Sequence, residues 1–104
     1  MYNIKYSNQA EIDLKEAIVH IAQESITNAM NYLFGYEEKI ELLLSNPYMG
    51  VACKAKRINR DCRVLVYQSH LIVYNVDKNN NELFIIRIYH ASEDYINKFN
   101  QEIK

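Results

Sequence analysis

Glycine and proline are nearly missing from this 104-residue chain, with two and one respectively. Two glycines cannot build a glycine-rich loop that cradles phosphate, so that nucleotide-binding device is excluded. Cysteine is limited to Cys53 and Cys62. No His or Cys stands near them at metal-ligand spacing, so no metal site is expected and the pair reads as two inert, reduced thiols of a cytoplasmic protein. No apolar run approaches the length that spans a bilayer, and the start, Met1-Tyr2-Asn3-Ile4-Lys5, lacks a signal-peptide pattern. No membrane association is therefore expected. Neither charge sign is in excess: 12 Lys and Arg against 13 Asp and Glu give a net charge of −1, with a pI near 6.3. That balance makes no global electrostatic case for nucleic-acid binding. Internal repeats, low-complexity tracts and linkers are missing as well, and the length suits one domain, 1–104.

What is there is an ordinary globular mixture, 49% hydrophobic and 24% charged. Its periodicity changes along the chain. Tyr2 to Tyr6 alternates like a short strand. Asn8 is placed to cap a helix with Glu11 as its capping-box partner. From Gln9 to about Glu24, Ala10, Leu14, Ala17, Ile18, Ile21 and Ala22 fall at helical spacing. Ser25 or Thr27 can cap a second helix, whose stripe is Ala29, Tyr32, Leu33, Tyr36, Ile40, Leu43 and Leu44. That helix stops at Asn46-Pro47. The short link predicts an antiparallel helix hairpin, and Gly35 within it points to a close helix crossing.

After Gly50 the period becomes that of strands. Four are expected: Ala52 to Ile58, Asp61 to Tyr67, His70 to Val76 and Glu82 to His90. Lys78-Asn79-Asn80-Asn81 is a turn, and weaker turns lie near Asn59-Arg60 and Gln68-Ser69. Ala91 to Ile103 reads as a C-terminal helix that Ser92 could cap. If both weak turns are two-residue hairpin loops, then Val64, Val66, Leu71, Val73, Phe84, Ile86 and Ile88 share one apolar face for the helix hairpin. The other face collects Lys54, Lys56, Arg63, Tyr67, His70, Tyr74, Arg87 and Tyr89. The expected fold class is α+β: an N-terminal strand, a helix hairpin on one face of a twisted antiparallel sheet, and a C-terminal helix. Charge follows the same division, since Glu11, Asp13, Glu16, Glu24, Glu37, Glu38 and Glu41 lie in the helices. Lys54, Lys56, Arg57, Arg60 and Arg63 follow Gly50.

In order and spacing, several segments of the chain resemble the RelE/ParE superfamily of bacterial type II toxin–antitoxin systems, and the ParE branch above all. They are Asp13-Leu14, Ile21-Ala22, Leu44-Ser45-Asn46-Pro47-Tyr48-Met49-Gly50, Arg63-Val64-Leu65, Leu71-Ile72-Val73-Tyr74, and Arg87-Ile88-Tyr89-His90 followed by Asp94. For the ParE branch the resemblance implies a cytoplasmic, growth-inhibiting toxin that poisons DNA gyrase, needs no cofactor and is neutralised by a cognate antitoxin. For the RelE branch it implies an endoribonuclease that cleaves mRNA on the ribosome. Asp61 and Glu93 stand where the ParE pattern usually has Gly and Arg, which gives a third reading, a non-toxic member kept as a binding module.

Arg63 and Arg87 are the leading site residues, for contact with target or antitoxin. Lys54, Lys56 and Tyr89 are candidates for the same contacts. In the RelE-like alternative Arg63, Arg87 and Tyr89 would be catalytic, because cleavage of RNA needs cations at the phosphorane and groups that move protons. Against this, a lysine pair such as Lys54 and Lys56 more often guards an edge strand. Pro47 and Gly50 are assigned structural roles, as are His90 and Asp94, which are expected to share a hydrogen bond. His20 reads as a surface residue.

Overall fold

The computed structural model describes residues 1–56, 58 and 60–102. Its elements run β1 (Asn3–Tyr6), α1 (Asn8–Glu24), α2 (Ile26–Ser45), β2 (Val51–Ala52), a 3₁₀ turn (Cys53–Lys56), β3 (Arg63–Tyr67), β4 (His70–Asp77), β5 (Glu82–His90) and α3 (Tyr95–Glu102). The five strands form one sheet in the order β1-β5-β4-β3-β2. The α+β class with a helix hairpin on one face is as expected. The sheet is not wholly antiparallel, because β1 adds to its edge parallel to β5.

Local chemistry sets the helix ends. Ser7, one residue before the expected Asn8, caps α1 by accepting from the Ala10 N–H at 3.0 Å. Ser25 alone separates the two helices. Its N–H donates to the Ile21 carbonyl at 3.0 Å and its hydroxyl accepts from the Asn28 N–H at 3.1 Å. One residue thus closes α1 and opens α2, which folds the pair back on itself. Asn46 ends α2, its N–H shared between the carbonyls of Leu42 and Leu43, and Pro47 follows.

The strand turns divide. Gln68-Ser69 is the expected two-residue loop, with Tyr67 paired to His70 and Gln68 at φ 50°. On the other side of β3 the expected two-residue hairpin is not found among the described residues. Only Val51 and Ala52 pair with β3, opposite Val64 and Arg63, before the chain leaves the sheet as a 3₁₀ turn. Arg57 and Asn59, part of the expected strand and turn there, lie outside the described residues.

The predicted division of faces is reversed. The hairpin buries Leu65, Tyr67, Ile72, Tyr74, Leu83, Ile85 and Ile88 under Tyr32, Tyr36, Ile40 and Leu43. Val64, Leu71, Val73 and Tyr89 point the other way. There they are not open to solvent but covered by Cys53, Ile58 and Cys62 and by Phe99 of α3. Two of the expected core residues are left largely exposed, Val66 at 57% and Phe84 at 37%. The physical reason is that tyrosine counts as polar in an alternation, yet its ring packs in a core once the hydroxyl is bonded. Tyr67 donates to the Tyr32 carbonyl at 2.8 Å, and Tyr74 donates to the Pro47 carbonyl at 2.8 Å. A β-bulge adds to the reversal. Val73 stands opposite Arg87 and Tyr74 opposite Ile85, so Ile86 is the extra residue. The bulge puts both Ile85 and Ile88 under the hairpin and breaks the alternation of Phe84, Ile86 and Ile88.

Two smaller expectations are also corrected. Cys53 and Cys62 are not free thiols but a disulfide, their Cα atoms 5.2 Å apart. The 3₁₀ turn brings them together, and periodicity carries no sign of such a turn. The close approach at Gly35 comes from the sheet rather than from a helix crossing. A Cβ there would lie 3.4 Å from Cζ of Tyr67 and closer still to its hydroxyl oxygen.

Gly35→Ala should therefore destabilise the protein by about 1–2 kcal/mol in a urea titration, although alanine is the better helix former. The cost should shrink when the substitution is made on a Tyr67→Phe background, which removes the obstructing oxygen. Equal costs on both backgrounds would mean that Tyr67 is not the obstacle.

Candidate functional site

A cleft of about 950 Å³ lies between the hairpin, the Gln68-Ser69 turn and the end of β5. Asp13 and Arg87 meet in its wall. Helix α1 begins where β1 ends and runs on beside β5, so Asp13 reaches the part of that strand that β1 leaves unpaired. One carboxylate oxygen accepts from Arg87 Nε at 2.8 Å and from the Ile88 N–H at 2.9 Å. The other accepts from Arg87 Nη2 at 3.3 Å and from Gln9 Nε2 at 3.1 Å. Both side chains are largely out of solvent, with 7% of Asp13 and 18% of Arg87 exposed. Ser7 Oγ completes the seam by donating to the Ile86 carbonyl at 2.6 Å, at the bulge. A bidentate pair that also holds a backbone N–H fixes the orientation of Arg87.

All three histidines of the chain line this cleft: His20 from α1, His70 from β4 and His90 from β5. His70 and His90 are cross-strand partners whose rings meet edge to face, 5.3 Å between centroids. His70 Nδ1 lies 2.9 Å from the Tyr32 hydroxyl. Burial, then the neighbouring charge of His90, lowers the His70 pKa below its ordinary 6.5, with Glu93 opposing. His90 Nδ1 accepts from the Ser92 N–H at 3.0 Å, which leaves the proton of the neutral ring on Nε2. The cleft thus gathers three imidazoles in one concavity with a guanidinium that Asp13 holds in place. Among the described residues, no three His, Cys, Asp or Glu side chains converge on a metal position.

The residues expected to share a surface are spread across the molecule. Arg63 donates to the Gly50 carbonyl at 2.7 Å and the Tyr48 carbonyl at 3.2 Å, its guanidinium 5.1 Å from the Tyr48 ring centroid. It tethers the bend after α2. Gly50 belongs to the same bend: its N–H donates to the Tyr74 hydroxyl, which itself donates to the Pro47 carbonyl. Lys54 and Lys56 ride the 3₁₀ turn, which covers the opposite sheet face. Tyr89, expected on an open face, is 1% exposed, packed against Tyr95 and Phe99. Arg87 lies 4.7 Å from the Tyr89 ring centroid but is directed at Asp13. The expected His90–Asp94 hydrogen bond is replaced. The His90 N–H donates to Glu93 Oε1 at 3.0 Å, while Asp94 accepts from Asn97 Nδ2 at 2.7 Å at the start of α3.

Two features escaped the sequence reading. Asp13 had a signal, an acid at a position that falls among Ala10, Leu14 and Ala17 on the buried stripe of α1. His20 had none, because only the fold brings it to His70 and His90.

The ParE toxin of the type II toxin–antitoxin system parDE matches this sequence over residues 4–95. The chain belongs to the ParE toxin family. It is a toxin of the ParE/RelE superfamily of type II systems. Solved structures agree on the fold. The chromosomal ParDE system of P. aeruginosa superposes at a TM-score of 0.66 with 17% identity, over 88% of this chain and 98% of that one. The isolated E. coli RelE toxin gives 0.62 with 15% identity over the whole of both chains. RelBE of E. coli, an intact toxin–antitoxin complex, gives 0.59 with 16% identity over 89% and 100%. No curated protein sequence matches the chain.

In this ParE-family chain, Asp13→Ala removes the bidentate acceptor of Arg87 and the acceptor of the Ile88 N–H from a largely dry seam. It should cost about 3 kcal/mol in denaturant unfolding. A cost within the range of exposed ion pairs would show that the seam is wet. His70 also makes stability depend on pH. Its folded pKa lies below the unfolded value, so on acidification the unfolded chain takes up the proton first. The contribution is complete above about pH 6.5 and is lost as pH falls toward the folded pKa. Proton NMR should find His70 titrating below 6.5, and His70→Asn should flatten the acid side of the stability profile.

Proposed function

We propose that this ParE-family toxin acts by protein–protein contact on DNA gyrase and is held inactive by a cognate antitoxin. The observation that carries this reading is the dispersal of the basic and aromatic set that a nuclease would use. Arg63 is bound to backbone carbonyls, Arg87 to Asp13, and Tyr89 lies inside a core, so the three offer no shared phosphate-binding surface. Three further features support it: the family match to ParE, a net charge near zero and a row of exposed apolar side chains on α2. A ribosome-directed nuclease works in a dense phosphate field, where a strongly basic chain has the advantage. Along α2, Ile26, Met30 and Phe34 are exposed at 71%, 53% and 57% with helical spacing. Such a stripe beside acidic Glu37, Glu38 and Glu41 suits an antitoxin helix laid along the hairpin. Among the described residues no helix is long and apolar enough to cross a membrane.

A second reading, RelE-like cleavage of mRNA on the ribosome, draws on the histidine cleft, which brings proton-transfer groups beside Arg87. Assays of purified gyrase separate the two. Loss of supercoiling or accumulation of cleaved DNA on adding the toxin, reversed by antitoxin, is the expected result. Undisturbed supercoiling with gyrase of the native host, together with cut mRNA in a translation extract, would replace the first reading by the second.

A further inference from the structure

The second hydrophobic cluster, on the sheet face away from the histidine cleft, has no role in the function proposed above. It consists of Cys53, Ile58, Cys62, Val64, Leu71, Val73, Tyr89 and Phe99. Its floor is the sheet. Its cover is made of two pieces outside the sheet, the segment from Cys53 to Cys62 and the short helix α3. We propose that the Cys53–Cys62 pair is a reversible thiol–disulfide switch that clamps or releases this cover, and with it the cations the loop carries.

Four observations support the proposal. The two Cα atoms lie 5.2 Å apart, inside the range that a disulfide bridges without backbone movement. Among the described residues, backbone bonding ties the loop to itself rather than to the sheet, and Ile58 is its buried anchor on the cluster. The loop leaves β3 after two paired residues, and its described backbone bonds run within itself, among them Cys53 N–H to the Cys62 carbonyl at 2.8 Å and Ile58 N–H to the Cys53 carbonyl at 3.1 Å. The cover is a joint unit. The Arg60 guanidinium of the loop sits 5.0 Å from the ring centroid of Phe99, and Phe99 is the fully buried anchor of α3. Finally, the cluster shares no buried residue with the one under the hairpin, so its loosening can stay local.

The chemistry closes on itself. In opening, the thiolate of a small thiol attacks one sulfur, the S–S bond breaks and a mixed disulfide forms. A second small thiol releases the first as a small-molecule disulfide. Two electrons and two protons end on Cys53 and Cys62. In closing, a small-molecule disulfide such as oxidised glutathione accepts those electrons and leaves as two thiols. The cysteines are 0% and 5% exposed, so exchange waits on opening of the loop. The reduced loop gains the entropy that the crosslink withheld, and the Arg60 guanidinium loses its fixed place over Phe99 of α3.

The test uses the full chain equilibrated at neutral pH with oxidised glutathione or with dithiothreitol. Alkylation after denaturation, counted by mass, reads the thiol state. Amide hydrogen exchange reads the cover, and thermal melting reads stability. No alkylation is expected in the oxidised sample and two alkylated cysteines in the reduced one. Reduction should speed exchange around Cys53, Ile58 and α3 by about tenfold or more while α1 and α2 are unchanged. It should lower the melting temperature by about 5–10 °C. Cys53→Ser/Cys62→Ser should ignore dithiothreitol and match the reduced wild type. Two alkylatable thiols after oxidation would overturn the proposal. So would identical exchange in both states, which leaves a fixed staple, or loosening of the whole fold, which leaves no local switch. The wild-type comparison stands even if the double variant fails to fold.

Discussion

Everything on the cleft side depends on one carboxylate. Strand β5 has a parallel neighbour only as far as Ile85. Beyond that point its edge would carry bare backbone groups into a seam that α1 covers. Asp13 and Ser7 supply the missing partners, at the Ile88 N–H and the Ile86 carbonyl. In effect the first turns of α1 finish the work of β1 with side-chain oxygens. An acid can do this only if its charge is answered, and Arg87 answers it in bidentate geometry. The bulge at Ile86 is part of the same arrangement, because it turns β5 where the strand partner gives way to the helix.

The same seam explains why the cleft is built as it is. Arg87, held from behind, cannot swing freely, so the polar groups around it are arranged about a fixed cation. His70 and His90 come from the last pairs of β4 and β5, and the sheet register rather than any loop sets their distance. Tyr32 of α2 touches both sides of the arrangement, its hydroxyl at His70 and its carbonyl at Tyr67. Displacing α2 would disturb the Tyr67 contact under Gly35 and the His70 contact together.

Much of this was legible in the sequence, and the limits have physical causes. The helix stripes were read nearly residue for residue, because burial of α2 along Ala29, Tyr32, Tyr36, Ile40 and Leu43 follows strict spacing. The Gln68-Ser69 loop was legible from two alternating runs. The sheet's faces were not, because both are buried and alternation then carries little information. Tyr67 and Tyr74 were read as solvent-facing, and their hydroxyls find carbonyls that belong to α2 and to the bend after it. The bulge shifted the parity of β5, and no residue in Ile85-Ile86-Arg87 announces it. Of the site, Arg63 and Arg87 were expected on an open sheet face as contacts for target or antitoxin, whereas the fold turns both inward onto partners of its own. Their partners, the Gly50 carbonyl and Asp13, are distant in sequence.

That misplacement bears on function. A cation on an open sheet face is available to phosphate. A cation whose donors are already aimed at a carboxylate or at carbonyls is available only if those partners are abandoned, at a cost that is greatest in the dry seam at Asp13. Arg63 and Arg87 are of the second kind. Their spacing is therefore explained by the fold itself: one secures the bend after α2, the other secures α1 to β5. Spacing of basic residues then carries little weight as a sign of nuclease chemistry in this chain. On the gyrase reading proposed above, recognition would fall to what the two arginines leave on the outside, the apolar and acidic hairpin and the lysine-bearing loop, which are the materials of a protein interface.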